Sequence, residues 1–367
     1  MLVLVINAGS SSLKHALVDP DRAGPPATEA ERWEPGAPAG AHARVLRRAL
    51  SGLGAPPDAV GHRLVHGGER FVDPVVVDDE VRAGLEELLE LAPLHNRGGL
   101  EALDAARELY PERAHVACFD TAFHRTLPSA ARTYALPRSW REELGARRFG
   151  FHGLNVAYCA RRAAALLGED AVRRLVVCHL GSGSSVTAVH EGRSADTTMG
   201  WTPLEGVPMA TRSGSIDPAI ALALVRRGRS AEEVEHGLNH ASGLRGLAGT
   251  PDLREVLAAA ERSDADASLA VEVMARGVGG AVAAMSTALG GLDCLVFTGG
   301  AGEHAPALRA AIAERLVHLG VGLGPANQAP ETDGAIGAPG ASVHVLVIRA
   351  GEEAEIARAT RALLAGS

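Results

Sequence analysis

One local design occurs twice in this chain, about half its length apart, and that repetition constrains the fold more than any other feature. Val3 to Asp19 (VLVINAGSSSLKHALVD) is an apolar run, a small-residue turn and an alternating run; Leu175 to Gly192 (LVVCHLGSGSSVTAVHEG) repeats it. Each predicts a β-hairpin closed by Gly and Ser. A third variant, Leu292 to Gly302 (LDCLVFTGGAG), predicts a strand feeding a Gly-rich turn, followed by a helix from about Pro306 to Leu316. Apolar spacings of three and four predict helices over 79–91, 100–109, 154–167, 218–226, 252–261 and 353–364. Strands and helices therefore alternate, and the repeat implies a duplicated architecture of two α/β halves facing each other. A length of 367 residues suits two such domains. Asp19–Ala41 and Gly324–Ser342, rich in Pro, Gly and Ala, are expected to be surface loops outside the chemistry.

Charge narrows the partners. The chain carries 36 Lys plus Arg against 44 Asp plus Glu, a formal charge of -8, so it lacks the global positive field that holds a nucleic acid. Its longest apolar helical segment, Ala267–Leu289, is interrupted by Glu272 and Arg276, which argues against a membrane span and leaves burial in a core or at an interface. The N-terminus has no basic region ahead of its short apolar run, so a soluble, cytoplasmic protein is expected. Cys118, Cys159, Cys178 and Cys294 are far apart in apolar contexts, as reduced core thiols would be. Lys14 is the sole lysine; every other basic residue apart from His is Arg. That points to a place where a compact ammonium is needed, the alternative being chance survival in an Arg-rich composition.

Gly-Ser turns aim backbone N–H groups and hydroxyls at one point, which suits an anion with many acceptor oxygens. One such turn only closes a hairpin; three, at Gly9, Gly181–Ser185 and Gly299–Gly302, suggest a nucleotide bound between two halves. The pattern Gly-x-x-x-x-Gly-Lys-Ser/Thr is missing, so the chain is not a P-loop protein. Neither Gly-x-Ser-x-Gly nor His-Glu-x-x-His occurs, which argues against a serine hydrolase and a zincin. Arg, His and Asp recur among glycines in GHRLVHGGE (61–69), APLHN (92–96), FDTAFH (119–124), FGFHG (149–153) and TRSGSIDP (211–218). A lone His in such a place is more often structural than catalytic, but the repeated set fits the loops at strand ends where α/β proteins build their sites.

NAGSSSLK, GHRLVHGGE, APLHN, FDTAFH, GFHG, HLGSGSS, MGWTPLEG, TRSGSIDPA and FTGGAGE, in this order and spacing, resemble the acetate kinase family from Val3 to the final helix. The resemblance implies duplicated ribonuclease H-like (actin-like ATPase) α/β domains facing a nucleotide cleft, one covering 1–120 plus 354–367 and the other 121–353. It implies ATP as co-substrate with Mg²⁺ or Mn²⁺, acetate as acceptor, and a homodimer. Residue by residue, Asn7, Asp120 and Glu352 would organise the metal and the reacting groups, and Ser10, Ser12 and Lys14 would form the first phosphate turn. Arg63 and Arg212 would flank the transferred phosphoryl, and His152 would donate to its equatorial oxygens. This matches phosphoryl transfer, where positioning and charge neutralisation dominate. His95 and His179 would be further contacts to phosphate and substrate, with Gly181, Ser182 and Gly183 forming the second phosphate turn. Val65, Leu94, Phe151 and Pro203 would enclose the acyl methyl, and Asp252, Arg254, Gly300, Ala301 and Gly302 the adenosine.

The chain departs from the family pattern at Leu154, Asn155 and Val156 (commonly Thr-Ser-His), at Ser182 and His304 (each commonly Asn), and at Gly351 (commonly Asn). These changes put nucleotide affinity and donor identity in question more than the reaction class. The expected activity is interconversion of acetate and ATP with acetyl phosphate and ADP by direct in-line transfer. Its rivals are the same chemistry on propionate or another short acyl group, a pyrophosphate-dependent variant, and an inactive nucleotide-binding homologue.

Overall fold

A computed structural model describes residues 1–8, 12–21, 29–32, 44, 47–48, 56–89, 93–330 and 333–366. Two six-stranded sheets contain β1 (Val3–Ala8), β2 (Ser12–Val18), β3 (Glu29–Arg32), β4 (Ala59–Leu64), β5 (Val75–Val76) and β6 (Ala114–Phe119), then β7 (Arg174–Leu180), β8 (Ser184–His190), β9 (Arg193–Thr197), β10 (Cys294–Thr298), β11 (Gly334–Ala335) and β12 (His344–Val347). The first sheet has the order β3-β2-β1-β4-β6-β5, and the second, taken from its β9 edge, β9-β8-β7-β10-β12-β11. In both, successive neighbours pair antiparallel, antiparallel, parallel, parallel, antiparallel. The duplication inferred from the hairpins therefore extends to the whole sheet.

The central strands are mostly apolar, and helices cover both faces of the first sheet. In the first sheet, Leu4, Ile6 and Val60 pack with Ala102, Ala105 and Ala106 of the helix Pro93–Leu109. On the opposite face, Val3, Val5 and Val116 pack with Ile356 and Ala357 of the terminal helix Glu352–Ala365. A fully buried Leu or Ile in such a layer contributes about 1.5–3 kcal/mol. Gly61 permits the close approach, since a Cβ there would lie 2.6 Å from Thr360 Oγ1 and 2.7 Å from Ile356 Cγ2. In the second sheet, the helix Ala265–Leu289 runs unbroken through Glu272 and Arg276 and buries Ala270, Met274, Val278 and Val282 against the core. Among the described residues it is the one helix long and apolar enough to cross a membrane; its packing on β7, β8 and β9 makes it a core helix. All four cysteines are buried and free.

The chain forms two compact units, Met1–Arg125 with Phe151–Tyr158 and Gly351–Ser367, and Thr126–Gly150 with Cys159–Ala350. This departs from the boundaries expected from the sequence, because Phe151–Tyr158 belongs to the N-terminal unit. Gly153 N donates to Asp120 O at 2.9 Å, and Leu154 packs in the core under the terminal helix. Three local expectations also need correction. Glu29–Arg32, expected to be loop, pairs with β2 as an edge strand, while 22–28 and 33–41 of that segment lie outside the described residues. The helix expected from Leu100 begins at Pro93, since proline is accommodated at the first helical position, and Gly99 is held close to Leu64. Gly299–His304, expected to be an open turn, is a short helix ahead of the helix Pro306–Glu314.

Candidate active site

In the N-terminal unit the ends of the parallel strands converge on one polar network. Arg63, the fifth residue of β4, donates from Nε to both Asp120 carboxylate oxygens at 3.1 Å, and from Nη1 to Asn7 Oδ1 at 3.1 Å. Asn7 Nδ2 in turn donates to Glu352 Oε2 at 2.9 Å and Glu353 Oε1 at 3.0 Å. Asn7, Asp120, Glu352 and Glu353 are all buried. Lys14 stands opposite Asn7 in the β1–β2 register, and its charge bears on Glu353. The structure thus brings together Asn7, Lys14, Arg63, Asp120 and Glu352, all named from the sequence, and adds Glu353, which was not named there. The adjacent Glu-Glu pair at the start of the terminal helix was the available signal, because a helix N-terminus favours acidic side chains.

The electrostatics of this network are unbalanced. Burial pushes Asp120 above its ordinary carboxylate range; Arg63 pulls it back and Glu352 pushes it further up. Glu353 is raised by burial and then by Glu352, with Lys14 and Asn7 opposing. Burial also works against the Arg63 charge, but Asp120, Glu352 and Glu353 outweigh it and hold the guanidinium protonated. Three carboxylates against Arg63 and Lys14 leave a negative excess that a cation would relieve. Among the described residues no three His, Cys, Asp or Glu side chains converge tightly enough to enclose a metal ion. Mg²⁺ is ordinarily held by one or two carboxylates together with water and phosphate, so the Glu352 carboxylate fits its requirements, with Asn7 holding that carboxylate through Nδ2.

The turn that leads into the helix Gly153–Leu167 places His152. His152 has φ 59°, a left-handed conformation uncommon for a residue with a side chain, just before the helix Gly153–Leu167. Gly153 must be glycine, since a Cβ would sit 2.2 Å from Asp120 O. His124 Nε2 lies 2.9 Å from Phe151 O, which fixes the other side of the turn. Phe151 is buried, and Val65 is half-buried in the segment following β4. Leu94 and His95 occupy the first turn of the helix Pro93–Leu109, and Ser12 begins β2; their side chains lie outside the described residues, as does Ser10 altogether.

The C-terminal unit holds the remaining candidates. Arg212 is half-buried; Nη1 donates to Pro203 O at 3.1 Å, and burial lowers its pKa. Among the described residues it has no carboxylate partner, so its charge is available to an anion. His179 is the penultimate residue of β7 and is buried; Gly181 N donates to Gly183 O at 3.0 Å across the turn, and Ser182 is exposed. Gly299, at φ 76°, has its backbone beside Leu180 at the end of β7, so the Gly299–His304 helix adjoins that turn. Gly300 is exposed with open space where a side chain would project, Ala301 leans on the core, and Gly302 is buried against Phe297 and Cys178 O. Asp252 caps the helix Leu253–Glu261 and pairs with exposed Arg254; that pairing draws Asp252 down to about 2. A cavity of about 490 Å³ in this unit, lined by Arg148, Asp196, Glu205, Arg276 and Met285 among others, includes none of the catalytic, substrate, nucleotide or metal candidates named from sequence.

The two matching sheets define a duplicated actin-like ATPase fold, with a buried polar network at the strand ends of its N-terminal unit. The family model for the acetokinase family matches residues 44–358. An acetate kinase of Leifsonia xyli subsp. xyli is 44% identical, with 99% of this chain and 99% of that one covered. The crystal structure of Porphyromonas gingivalis acetate kinase superposes with TM-score 0.88 at 33% identity over 99% of both chains. A propionate kinase from Francisella tularensis superposes with TM-score 0.87 at 35% identity over 98% of both. The chain belongs to the acetokinase family.

Proposed function

We propose that the protein is an acetate kinase, transferring the γ-phosphoryl of ATP reversibly to the carboxylate of acetate by direct in-line displacement. The observation that carries the reading is the buried network Asn7–Arg63–Asp120–Glu352, built from four separate segments that a simple binding module has no need to assemble. Arg63 and Arg212 neutralise the charge that spreads over the phosphoryl oxygens, and His152 donates to an equatorial oxygen. Asp120 keeps Arg63 extended and charged, so little reorganisation is needed as charge develops. Glu352, oriented by Asn7, would hold Mg²⁺, which would neutralise the nucleotide phosphates. Ser10, Ser12, Lys14 and the turn Gly181–Gly183 with His179 cradle phosphates, while Gly300–Gly302 with Asp252 and Arg254 receive the nucleoside. Val65, Leu94, Phe151 and Pro203 bound the acyl methyl, with His95 nearby. ATP is preferred over pyrophosphate as donor because exposed Gly300 leaves room for a purine against the backbone. Propionate is the second reading, favoured by the match to a propionate kinase at similar TM-score.

The test is hydroxamate trapping of acyl phosphate. Acetyl hydroxamate is expected with Mg-ATP and acetate, with little from pyrophosphate. Higher kcat/KM with propionate would move the assignment to the second reading, and activity with pyrophosphate alone would overturn the donor. A homodimer is part of the same proposal and is checked by light scattering.

A further inference from the structure

Asn96 has no role in the site as read from sequence, although it ends the motif that supplied Leu94 and His95. It is 1% exposed, in the first turn of the helix Pro93–Leu109. Its Oδ1 accepts from His66 N at 3.0 Å, and its Nδ2 donates to His66 O at 2.9 Å. β4 ends at Leu64, so the amide of Asn96 provides both bonds that a neighbouring strand would have made to His66.

The surrounding segment is pinned just as closely. Gly67 N donates to Thr121 Oγ1 at 3.2 Å, Gly68 N donates to His66 Nδ1 at 2.8 Å, and Phe71 N donates to Gly67 O at 2.9 Å. Because His66 Nδ1 is an acceptor, the neutral ring carries its proton on Nε2. The ring stands edge-on to Phe151 with centroids 5.7 Å apart. A Cβ on Gly67 would fall 2.1 Å from Phe71 O, so the segment has one tight path. Val65 precedes this clamp by one residue, and Leu94 and His95 precede Asn96 directly.

We propose that Asn96 is a positioning residue that sets the size of the acyl pocket. It ties the Val65 segment to the Leu94–His95 turn, with Phe151 seated on the residue it holds. The inference rests on the acetate kinase reading above and extends it to substrate selection. Loss of the clamp lets Val65 withdraw, which weakens acetate binding and relaxes discrimination against longer acids, and leaves the ATP contacts untouched.

Two variants test this. Asn96→Leu removes both bonds at similar volume; acetate KM is expected to rise about tenfold and the acetate-to-propionate ratio of kcat/KM to fall at least about threefold, with ATP KM within about twofold of wild type. Asn96→Asp separates positioning from mere stability. Ionised, Asp accepts from His66 N and cannot donate to His66 O; protonated, it does both, as the amide does. Burial raises the pKa of such a carboxyl. The selectivity ratio of Asn96→Asp is therefore expected to return toward wild type as pH falls from about 8 to about 6, with wild type measured in parallel. If Asn96→Leu fails to fold, the pH profile of Asn96→Asp decides. A selectivity ratio unchanged in both variants overturns the proposal, as do losses that strike acetate, propionate and ATP alike without pH dependence. If wild type forms no acyl phosphate from any short carboxylate, the functional reading itself fails; wild-type activity with a pH-independent ratio removes Asn96 alone.

Discussion

The two sheets share one topology yet end in opposite chemistry. Arg63 on β4 bonds Asn7 on its neighbour β1, whereas on the matching strands of the second sheet His179 of β7 pairs in register with Thr298 of β10. The first residue after β6 is Asp120, and the first after β12 is Ile348. The segment after β4 carries a pinned His66 and a half-buried Val65, while the segment after β10 is Gly299–His304, with an exposed glycine in its first turn. One copy of the fold has charge at its strand ends and the other has small residues and accessible backbone. A duplicated scaffold therefore fixes where a site is built, and side-chain content at a few registers fixes what each copy does.

The sharpest way to break this comparison is to remove an arginine from each unit. Arg63→Ala and Arg212→Ala are each expected to lower kcat by about two to four orders of magnitude. Their stabilities should diverge. Arg63→Ala strands a buried Asp120 and should cost about 3–5 kcal/mol, whereas Arg212 leaves no carboxylate behind. Thermal denaturation followed by circular dichroism, together with turnover at a temperature where both variants are folded, reads the difference. Equal losses of stability would show that the two arginines occupy equivalent environments.

Acid should undermine the N-terminal unit through its buried histidines. Burial holds His124 down to about 4, and burial also lowers His62 and His115, which share a 2.9 Å contact. Their folded pKa values lie below the unfolded value, so this stability is fully present above about pH 6.5 and is lost as pH falls toward about 4. At 1.36 kcal/mol per unit, His124 alone accounts for about 3 kcal/mol. His124→Gln should flatten the dependence of Tm on pH between about 7 and about 5; a slope equal to wild type would place the acid sensitivity elsewhere.

Smaller effects sharpen the contrast in substrate binding. Val65→Ala should shift the acetate-to-propionate ratio of kcat/KM toward propionate by about tenfold, since one methylene is worth about 1–3 kcal/mol in an apolar pocket. An unchanged ratio would take Val65 out of that pocket. Gly300→Phe should raise ATP KM about tenfold with acetate KM and Tm unaffected, because a side chain there meets open space in the free protein; an unaltered ATP KM would detach the Gly299–His304 helix from the nucleoside. The smallest expected effect is at the Asp252 cap. Asp252→Ala should lower Tm slightly through loss of the cap, and a rise in ATP KM beyond that of a matched cap variant such as Asp264→Ala would tie Asp252 to the nucleoside as well.

The sequence by itself determined the duplication, the helix–strand alternation and the family, because those signals are local or repeat along the chain. Gly-Ser turns, apolar periodicity and residues such as Asn7, Arg63 and Asp120 can each be read within a few positions. The tertiary structure decided what depends on close approach between distant segments. Glu353 joined the network because the terminal helix packs against β1 and presents its first turn to Asn7, across a separation of 346 residues. Asn96 gained a role because β4 stops one residue short of Val65 and leaves the backbone of His66 to a side chain 30 residues away. The helix at Gly299–His304 formed despite its glycines because fully buried Arg309 donates to the carbonyls of Gly302 and Glu303 at 2.8 and 2.9 Å. Hydrogen-bond partners of this kind are chosen by packing, and packing is set by residues too far apart in the chain for any local pattern to record.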